Sequence, residues 1–360
     1  MTKRRAAVAA LTLLVPLGVG SSIAVAQTRP AARVVHASSR SITLDGAGAN
    51  SIDPFFQAVF YNYHQKYSNV TVNYSPAGSS VGISDIQQNT VAFGDTEVPM
   101  AAKDLALAKG TVLQIPVDLG GVAISYNVPG APKGLKLDAA ALAGIFEGII
   151  TNWDSPQLAS VTGVNNLPNL PIVPVHRADS SGPGWDFDDY LIQNSSSWVS
   201  KIGTSLPSKT WPLPKVGVGG QLNSGVASYI AQRPGAIGFV EYGYALQAGF
   251  ANAAIRNKAG AFVVPSAASI EQSGLRAASS LSATNFNIVN ETGAGSYPLA
   301  NFSWTLLYQK QSNSNTAVAL QRLFTYVITT GQLQAAKLGY APLPTSVVAL
   351  SKSTLAKVEA

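Results

Sequence analysis

The sequence predicts an α/β fold of two domains, and three observations support this prediction. Short apolar, strand-like runs alternate with stretches in which apolar residues recur every three or four positions, as in parallel strands joined by crossover helices. Charged residues make up 12% of the 360 residues and apolar residues 46%, so the chain can bury a large core. About 330 residues follow the leader described next, which is more than one core usually holds.

The first residues predict an export signal. Residues 3–5 are Lys-Arg-Arg, residues 6–19 are apolar, and residues 24–26 fit an Ala-x-Ala cleavage site. We therefore expect a signal peptide over 1–26, a mature protein that begins at Gln27, and a periplasmic or cell-surface location. Cleavage would leave 21 of the 24 basic residues against 18 acidic ones, a net charge of +3. Without a Lys/Arg cluster, this charge argues against nucleic acid as a partner.

Cysteine and histidine usage narrows the chemistry further. The chain contains no cysteine, so we expect neither thiol chemistry nor attachment through a lipidated N-terminal cysteine. His36, His64 and His176 share no metal-ligand spacing, and neither a metal nor a cofactor is expected. Residues 27–41 lack periodicity and are predicted to form a linker.

The predicted elements alternate along the rest of the chain. Strands are expected at 42–44, 70–74, 91–94, 119–126, 172–175, 237–240 and 302–308. Helices are expected from Ser51, over 79–88, over 137–147, from Gly182, over 225–232 and over 317–336. Turns are expected at Gly219-Gly220 and Pro234-Gly235.

Three Gly/Ser-rich segments lie between a predicted strand and a predicted helix. They are Gly46–Ser51, Gly78–Ser80 and Arg177–Gly182. Small residues leave backbone N–H groups open there, and helix N-termini favour negative charge. Serine hydroxyls add neutral donors, and Arg177 adds a planar, permanently charged fork. Together they predict a site that surrounds a small tetrahedral anion, whereas the missing third glycine after Gly48 argues against a dinucleotide site.

Seven motifs occur in an order that resembles the phosphate-binding proteins of phosphate ABC importers. They are GAGANSIDPFF, SPAGSSVGISDI, TVAFGDTEVP, FEGIITNWDSP, VHRADSSGPGWDF, RPGAIGFVEYGYA and LGYAPLPTSVV, and they cover residues 42–348. The resemblance implies a two-lobed, type II-like periplasmic-binding-protein fold. Each lobe would be a mixed, mostly parallel sheet flanked by helices, with the ligand in the cleft between the lobes. Domain I would comprise 42–117 and 300–352, and domain II 118–299.

The resemblance also implies a function and the residues that perform it. The protein would capture inorganic phosphate as a monomer and deliver it to a membrane ABC permease with its ATPase subunits, without catalysis. Ser79 and Ser181 would donate hydroxyl and N–H groups, Gly182 its N–H, and Arg177 its fork, with Asp179 orienting the guanidinium. The phosphate ligands implied in this way are Asn50, Ser51, Ser79, Glu97, Arg177, Ser181 and Gly182.

Four positions depart from the family pattern. Asn50-Ser51 replaces Thr-Phe, Glu97 replaces the Asp that accepts from the ligand, and Pro183 replaces a Thr. Glu97 keeps the charge but moves the acceptor by about 1.5 Å, and Pro183 removes an N–H and a hydroxyl. Two alternatives therefore stay open. One is a binding protein for another tetrahedral oxyanion, or one whose site has decayed. The other is a secreted phosphatase that uses the same oxyanion site, although Ser180-Ser181 lacks a Gly-x-Ser-x-Gly elbow.

Overall fold

The first strand begins at Ile42 in a computed structural model that describes residues 41–360. The predicted signal peptide, and the predicted linker except for Ser41, lie outside the described residues. The strands are β1 (Ile42–Gly48), β2 (Val70–Ser75), β3 (Phe93–Thr96), β4 (Val112–Tyr126), β5 (Lys136–Leu137), β6 (Val173–Arg177), β7 (Val218–Gly220), β8 (Ala236–Glu241), β9 (Ala251–Asn252), β10 (Ala254–Arg256), β11 (Phe262–Val263) and β12 (Ala300–Tyr308).

The helices lie between many of these strands. They are α1 (Asp53–Lys66), α2 (Ser79–Gln88), α3 (Ala102–Leu105), α4 (Ala139–Phe146), α5 (Pro156–Thr162), α6 (Gly182–Asn194), α7 (Ser196–Ile202), α8 (Leu222–Gln232), α9 (Tyr242–Gln247), α10 (Ala267–Ala277), α11 (Ser314–Val327) and α12 (Thr345–Leu355). Two short 3₁₀ helices, Thr330–Gln334 and Ala336–Leu338, lie between α11 and α12. Of the helices in the described part of the chain, none combines the length and apolar character needed to cross a bilayer.

A mixed sheet of nine strands organises the fold. Its order is β2-β1-β3-β12-β4-β8-β6-β7, with β9 beside the end of β4. Strands β2, β1 and β3 are parallel to one another in one half of the sheet, and β8, β6 and β7 are parallel to one another in the other half. Between them, β12 and β4 run antiparallel to their neighbours. A second sheet has the order β11-β10-β5.

The long strand β4 joins the two halves of the sheet. Its residues 112–121 pair with β12, and its residues 122–126 pair with β8. Strand β12 therefore returns the C-terminal part of the chain to the N-terminal strands. The predicted boundary between domains I and II, after residue 117, lies inside β4, and the division into these domains stays a prediction.

Aromatic side chains fill the core beside each half of the sheet. Phe56 and Phe60 of α1 stack with ring centroids 4.6 Å apart, and Phe60 lies 6.0 Å from Phe93 of β3. In the other half of the sheet, the ring centroid of Phe187 of α6 lies 5.1 Å from that of Phe239 of β8. Burying one such side chain fully contributes about 1.5–3 kcal/mol. This packing fixes α1 and α6 against the sheet and so determines where their N-termini lie.

Two pairs of glycines lie in strands rather than in the predicted loop and turn. Gly46 and Gly48 belong to β1, where a Cβ on Gly46 would lie 2.1 Å from the Phe93 ring. Gly48 has a φ of +152°, and a Cβ there would lie 2.1 Å from the Asp95 carbonyl. The predicted turn at 219–220 lies in β7. Here glycine permits close packing of backbone against neighbouring elements rather than a reversal of the chain.

Several predicted boundaries also shift. The predicted strand at 91–94 lies at 93–96, and the helix predicted from 225 begins at Leu222. The helix predicted over 137–147 begins at Ala139, because Asp138 caps it by accepting from the Ala141 N–H at 3.0 Å. The helix predicted over 317–336 ends at Val327, where a β-branched run (residues 327–330) precedes a glycine.

Candidate anion-binding site

The three Gly/Ser-rich segments meet at one place in the fold. Helix α1 begins just after the first segment, α2 begins at Ser79, and α6 begins at Gly182. The Gly78 N–H donates to the Gly48 carbonyl at 2.7 Å, and the Ser80 hydroxyl donates to the Ser180 hydroxyl at 2.8 Å. The positive ends of three helix dipoles therefore lie near one another, as an anion site requires.

Glu97, which follows β3, lies among these segments. Its side chain is buried, and the Ser79 hydroxyl lies 3.5 Å from Oε2. A Cβ on Gly182 would lie only 2.1 Å from Glu97 Oε2 and 2.4 Å from its Cβ. Glycine is therefore needed at position 182 to let α6 approach this carboxylate.

Burial raises the pKa of Glu97 from 4.5 to about 7. Four groups oppose this rise by favouring the ionised carboxylate: the Ser51 hydroxyl, the Arg177 charge, the Gly182 N–H and the Ser79 hydroxyl. The Ser51 hydroxyl acts by proximity, since it meets hydrogen-bond geometry with no group in residues 41–360. Several of the donors that the sequence predicts for an anionic ligand therefore lie around the Glu97 carboxylate.

Arg177, at the end of β6, is buried with its guanidinium held from one side. Nε donates to Asp179 Oδ1 at 2.8 Å and Nη2 to Oδ2 at 2.5 Å, and Oδ1 also accepts from the Leu222 N–H at 3.0 Å. Nη1 is buried and has no hydrogen-bond partner within residues 41–360. A charged donor left free in this way is available to a bound acceptor.

Ser181 and Asn50 belong to the segments that form the candidate site, but hydrogen bonds within the protein already occupy some of their polar groups. The Ser181 hydroxyl caps α6 by accepting from the Gly184 N–H at 3.1 Å, and its N–H donates to the Lys209 carbonyl at 2.9 Å. Its hydroxyl hydrogen, rather than its N–H, is the donor that remains. The Asn50 amide donates to the Tyr244 hydroxyl at 2.8 Å. Its Oδ1 accepts from the Asn223 N–H at 2.9 Å.

The polar residues behind Glu97 are not among those predicted from the sequence. Asn301 of β12 donates through Nδ2 to Asp186 Oδ2 at 2.6 Å and lies 3.5 Å from Glu97 Oε1. Glu241, at the end of β8, accepts from the Gly121 N–H at 2.9 Å. The available signal was an acidic residue directly after the apolar run 236–240 in the motif RPGAIGFVEYGYA.

His176 and the neighbouring serines do not form a catalytic arrangement in the described residues. The His176 Nδ1 lies 3.0 Å from the Arg177 carbonyl, and its ring stacks on Trp211 at 6.0 Å. The Ser180 hydroxyl pairs with Ser80 instead. Nor does any group of three or more His, Asp or Glu side chains in residues 41–360 have an arrangement that could hold a metal ion.

Known proteins identify the family. A model of the PBP superfamily domain matches residues 34–330. The chain belongs to the PBP superfamily. Among its relatives in this superfamily, the phosphate-binding protein PstS of Xylella fastidiosa strain Temecula1 is 36% identical over 312 residues, which cover 86% of this chain and 84% of the relative. The phosphate-binding protein PstS of Haemophilus influenzae is 36% identical over 323 residues, covering 88% and 93%.

Solved structures of phosphate-binding proteins share the architecture. The phosphate-bound periplasmic phosphate-binding protein PfluDING has a TM-score of 0.69 at 20% identity and covers 86% of this chain and 93% of its own. The phosphate-binding protein of Stenotrophomonas maltophilia has a TM-score of 0.66 at 16% identity, with the same coverage. The two-lobed α/β fold class predicted from the sequence is therefore confirmed.

Proposed function

We propose that this protein is an extracytoplasmic solute-binding protein that captures inorganic phosphate and delivers it to an ABC permease with its ATPase subunits. The relatives named as phosphate-binding proteins support this choice of ligand. The observation that carries the proposal is the buried Arg177 guanidinium. Its Nη1 has no hydrogen-bond partner within residues 41–360, and its charge acts on Glu97 together with the donors of Ser51, Ser79 and Gly182. A charged fork among neutral donors suits a small tetrahedral oxyanion.

The two predicted domains would each supply part of the site. Domain I (42–117 and 300–352) carries Asn50, Ser51, Ser79 and Glu97, whereas domain II (118–299) carries Arg177, Ser181 and Gly182. The hydrogen bonds from Asn50 to Tyr244 and from Ser80 to Ser180 link the two segments beside the site. Closure of two lobes around the anion would remove its water and replace it with fixed dipoles.

Isothermal titration of the chain that begins at Gln27 tests the ligand. We expect saturable heat at micromolar phosphate with one site per monomer, and size-exclusion chromatography with light scattering checks the monomeric state. The absence of heat at micromolar phosphate would contradict the proposal. The departures at Glu97 and Pro183 favour another tetrahedral oxyanion as the second candidate, so arsenate and sulfate titrations follow on the same protein.

A secreted phosphatase remains as an alternative use of the site. It would need a nucleophile, and the Ser181 hydroxyl already caps α6. We therefore propose binding without turnover. A chromogenic phosphomonoester distinguishes the two, because only a phosphatase would release the chromophore above the rate seen in buffer.

Export is a separate prediction of the sequence. The secreted material should begin at Gln27, because signal peptidase cleaves after the small residues of Ala24-Val25-Ala26. N-terminal sequencing of protein from the culture medium or periplasm checks this. An intact Met1 on exported protein would contradict the targeting argument.

Gly182→Ala should weaken phosphate binding at least about tenfold, or about 1.4 kcal/mol. The new methyl group would lie 2.4 Å from Glu97 Cβ, so the start of α6 and the Glu97 backbone would have to separate. Gly295→Ala is the matched control, because its nearest neighbour, Gln272 Cγ, is 3.8 Å from the new Cβ. Titration with phosphate measures both variants, and equal affinities would show that the approach of α6 to Glu97 does not matter for binding.

A further inference from the structure

The Asn50 side chain is held by groups from the other half of the sheet. Asn50 follows β1, whereas Asn223 and Tyr244 belong to α8 and α9, which follow β7 and β8. The Asn50 Nδ2 donates to the Tyr244 hydroxyl at 2.8 Å, and that hydroxyl donates to the Asn50 carbonyl at 3.0 Å. The Asn50 Oδ1 accepts from the Asn223 N–H at 2.9 Å. Three hydrogen bonds therefore join one buried residue to the opposite half of the sheet.

Asn223 and Tyr244 reach Asn50 from a single unit of structure. The Asn223 Oδ1 accepts from the Glu241 N–H at 3.0 Å, which ties the start of α8 to the junction of β8 and α9. Asn223 is fully buried, so this bond is shielded from water. Tyr244 lies in the first turn of α9, directly after that junction. The two partners of Asn50 are thereby fixed relative to each other.

The start of α8 has a strained backbone. Leu222 has a φ of +58°, a left-handed conformation that residues other than glycine seldom adopt. Its N–H donates to Asp179 Oδ1 at 3.0 Å, and the next N–H, that of Asn223, donates to Asn50. Asp179 in turn holds the Arg177 guanidinium. The strained turn therefore links the charged donor of the candidate site to Asn50, and strain of this kind is typical of functional positions.

We propose that Asn50, Asn223 and Tyr244 form an interlobe clasp that sets how long the protein retains its bound anion. The inference rests on the proposed function and on the division into domain I, which carries Asn50, and domain II, which carries its partners. An anion held between two lobes leaves after the lobes separate, and their separation breaks all three hydrogen bonds. Asn50 then contributes through its bonds across the cleft rather than as a ligand of the anion. Tyr244 is a positioning residue that bonds to Asn50 at two points.

Tyr244→Phe removes two of the three hydrogen bonds and keeps the ring. We expect phosphate to dissociate about tenfold faster, the effect of losing one to two neutral hydrogen bonds. The association rate should change less than about twofold, because the open protein has not yet formed the clasp. A chase of bound radiolabelled phosphate with excess unlabelled phosphate measures the dissociation rate, and isothermal titration measures the affinity.

Tyr229→Phe is the matched control for this exchange. Tyr229 lies on α8, and its ring centroid is 5.3 Å from the Arg233 guanidinium. Its hydroxyl makes no hydrogen bond to Asn50, whose side-chain partners are Tyr244 and Asn223. The control protein should therefore release phosphate at the wild-type rate.

A double variant separates the clasp from a direct contact between Asn50 and the anion. Asn50→Ala should accelerate dissociation at least as much as Tyr244→Phe does. Adding Tyr244→Phe to Asn50→Ala should bring no further acceleration, because both exchanges act on the same hydrogen bonds. Additive effects, or a Tyr244→Phe protein that releases phosphate at the wild-type rate, would overturn the clasp. Thermal unfolding checks that each variant is folded.

A readout without ligand keeps this test independent of the proposed function. The Ser80 and Ser180 hydroxyls lie 2.8 Å apart between the two predicted domains, and the chain contains no cysteine. In a Ser80→Cys/Ser180→Cys protein, oxidised glutathione cross-links the lobes at a rate that follows the fraction of closed molecules. Adding Tyr244→Phe or Asn50→Ala should slow this cross-linking several-fold in the absence of phosphate. Unchanged cross-linking would overturn the clasp, whereas slower cross-linking in a protein that binds no phosphate would overturn the proposed function alone.

Discussion

Arg177→Ala is expected to weaken phosphate binding by at least about 10- to 150-fold, or about 1.5–3 kcal/mol, the range for a hydrogen bond to a charged group. The side chain is 2% exposed, so its charge acts where water cannot replace it. Nε and Nη2 are held by Asp179, so Nη1 is the guanidinium nitrogen without a hydrogen-bond partner in the described part of the chain, residues 41–360. Isothermal titration with phosphate measures the loss.

Arg177→Lys should restore only part of the affinity. An ammonium group keeps the charge but cannot bond to Asp179 at two points and to a ligand oxygen in one plane. Removing the guanidinium also leaves the Asp179 carboxylate with the Leu222 N–H as its remaining partner. Thermal unfolding is therefore measured on each variant, with the exposed Arg256→Ala as the control. Unchanged affinity in both Arg177 variants would remove this residue from the site.

The sequence predicts those parts of the site that depend on residues close together in the chain or on the order of strands and helices. Arg177 and Asp179 are two residues apart, so a single motif predicts their ion pair. Ser51, Ser79 and Gly182 each follow a strand and precede a helix. Because such junctions gather at one edge of an α/β sheet, their convergence could be expected from the order of elements alone.

The residues behind Glu97 could not be predicted in the same way. Asn301 is 204 residues from Glu97 in the sequence, and their contact depends on the register of β12 between β3 and β4. Asp186 lies early in α6, where an acidic residue normally signals an exposed helix start, but here it is 4% exposed. The requirement for glycine in β1 could not be predicted either, because it results from the close approach of Phe93 and Asp95 on a neighbouring strand.

The arrangement explains how one site can hold an anion beside so many acids. Three helices begin close to Glu97, and the Ser51 and Ser79 hydroxyls and the Arg177 fork supply further donors near it. Asn301, which donates to the buried Asp186, gives Glu97 one long contact of 3.5 Å. In the proposed site, Glu97 would be the acceptor that faces a ligand otherwise surrounded by donors.

This asymmetry gives the largest expected effect on selectivity. At pH 8, Glu97 is mostly ionised, since its pKa is about 7. A phosphate that carries a proton can donate a short, charge-assisted O–H···O⁻ bond to it, whereas sulfate would place two negative oxygens against each other. An unpaired contact of this kind costs about 3 kcal/mol when one partner is charged. The wild-type protein should therefore bind phosphate at least about 100-fold more tightly than sulfate at pH 8.

Glu97→Gln should reduce this difference to less than about tenfold, because the amide can accept from phosphate through its oxygen and donate to sulfate through its nitrogen. Competition titrations of phosphate and sulfate at pH 8 on both proteins measure the change. Ser84→Ala, an exchange on α2 outside the contacts of Glu97, is the control and should keep the full selectivity. If the wild-type protein binds sulfate as tightly as phosphate at pH 8, Glu97 is not the acceptor, and phosphate loses the residue that distinguishes it from other tetrahedral oxyanions.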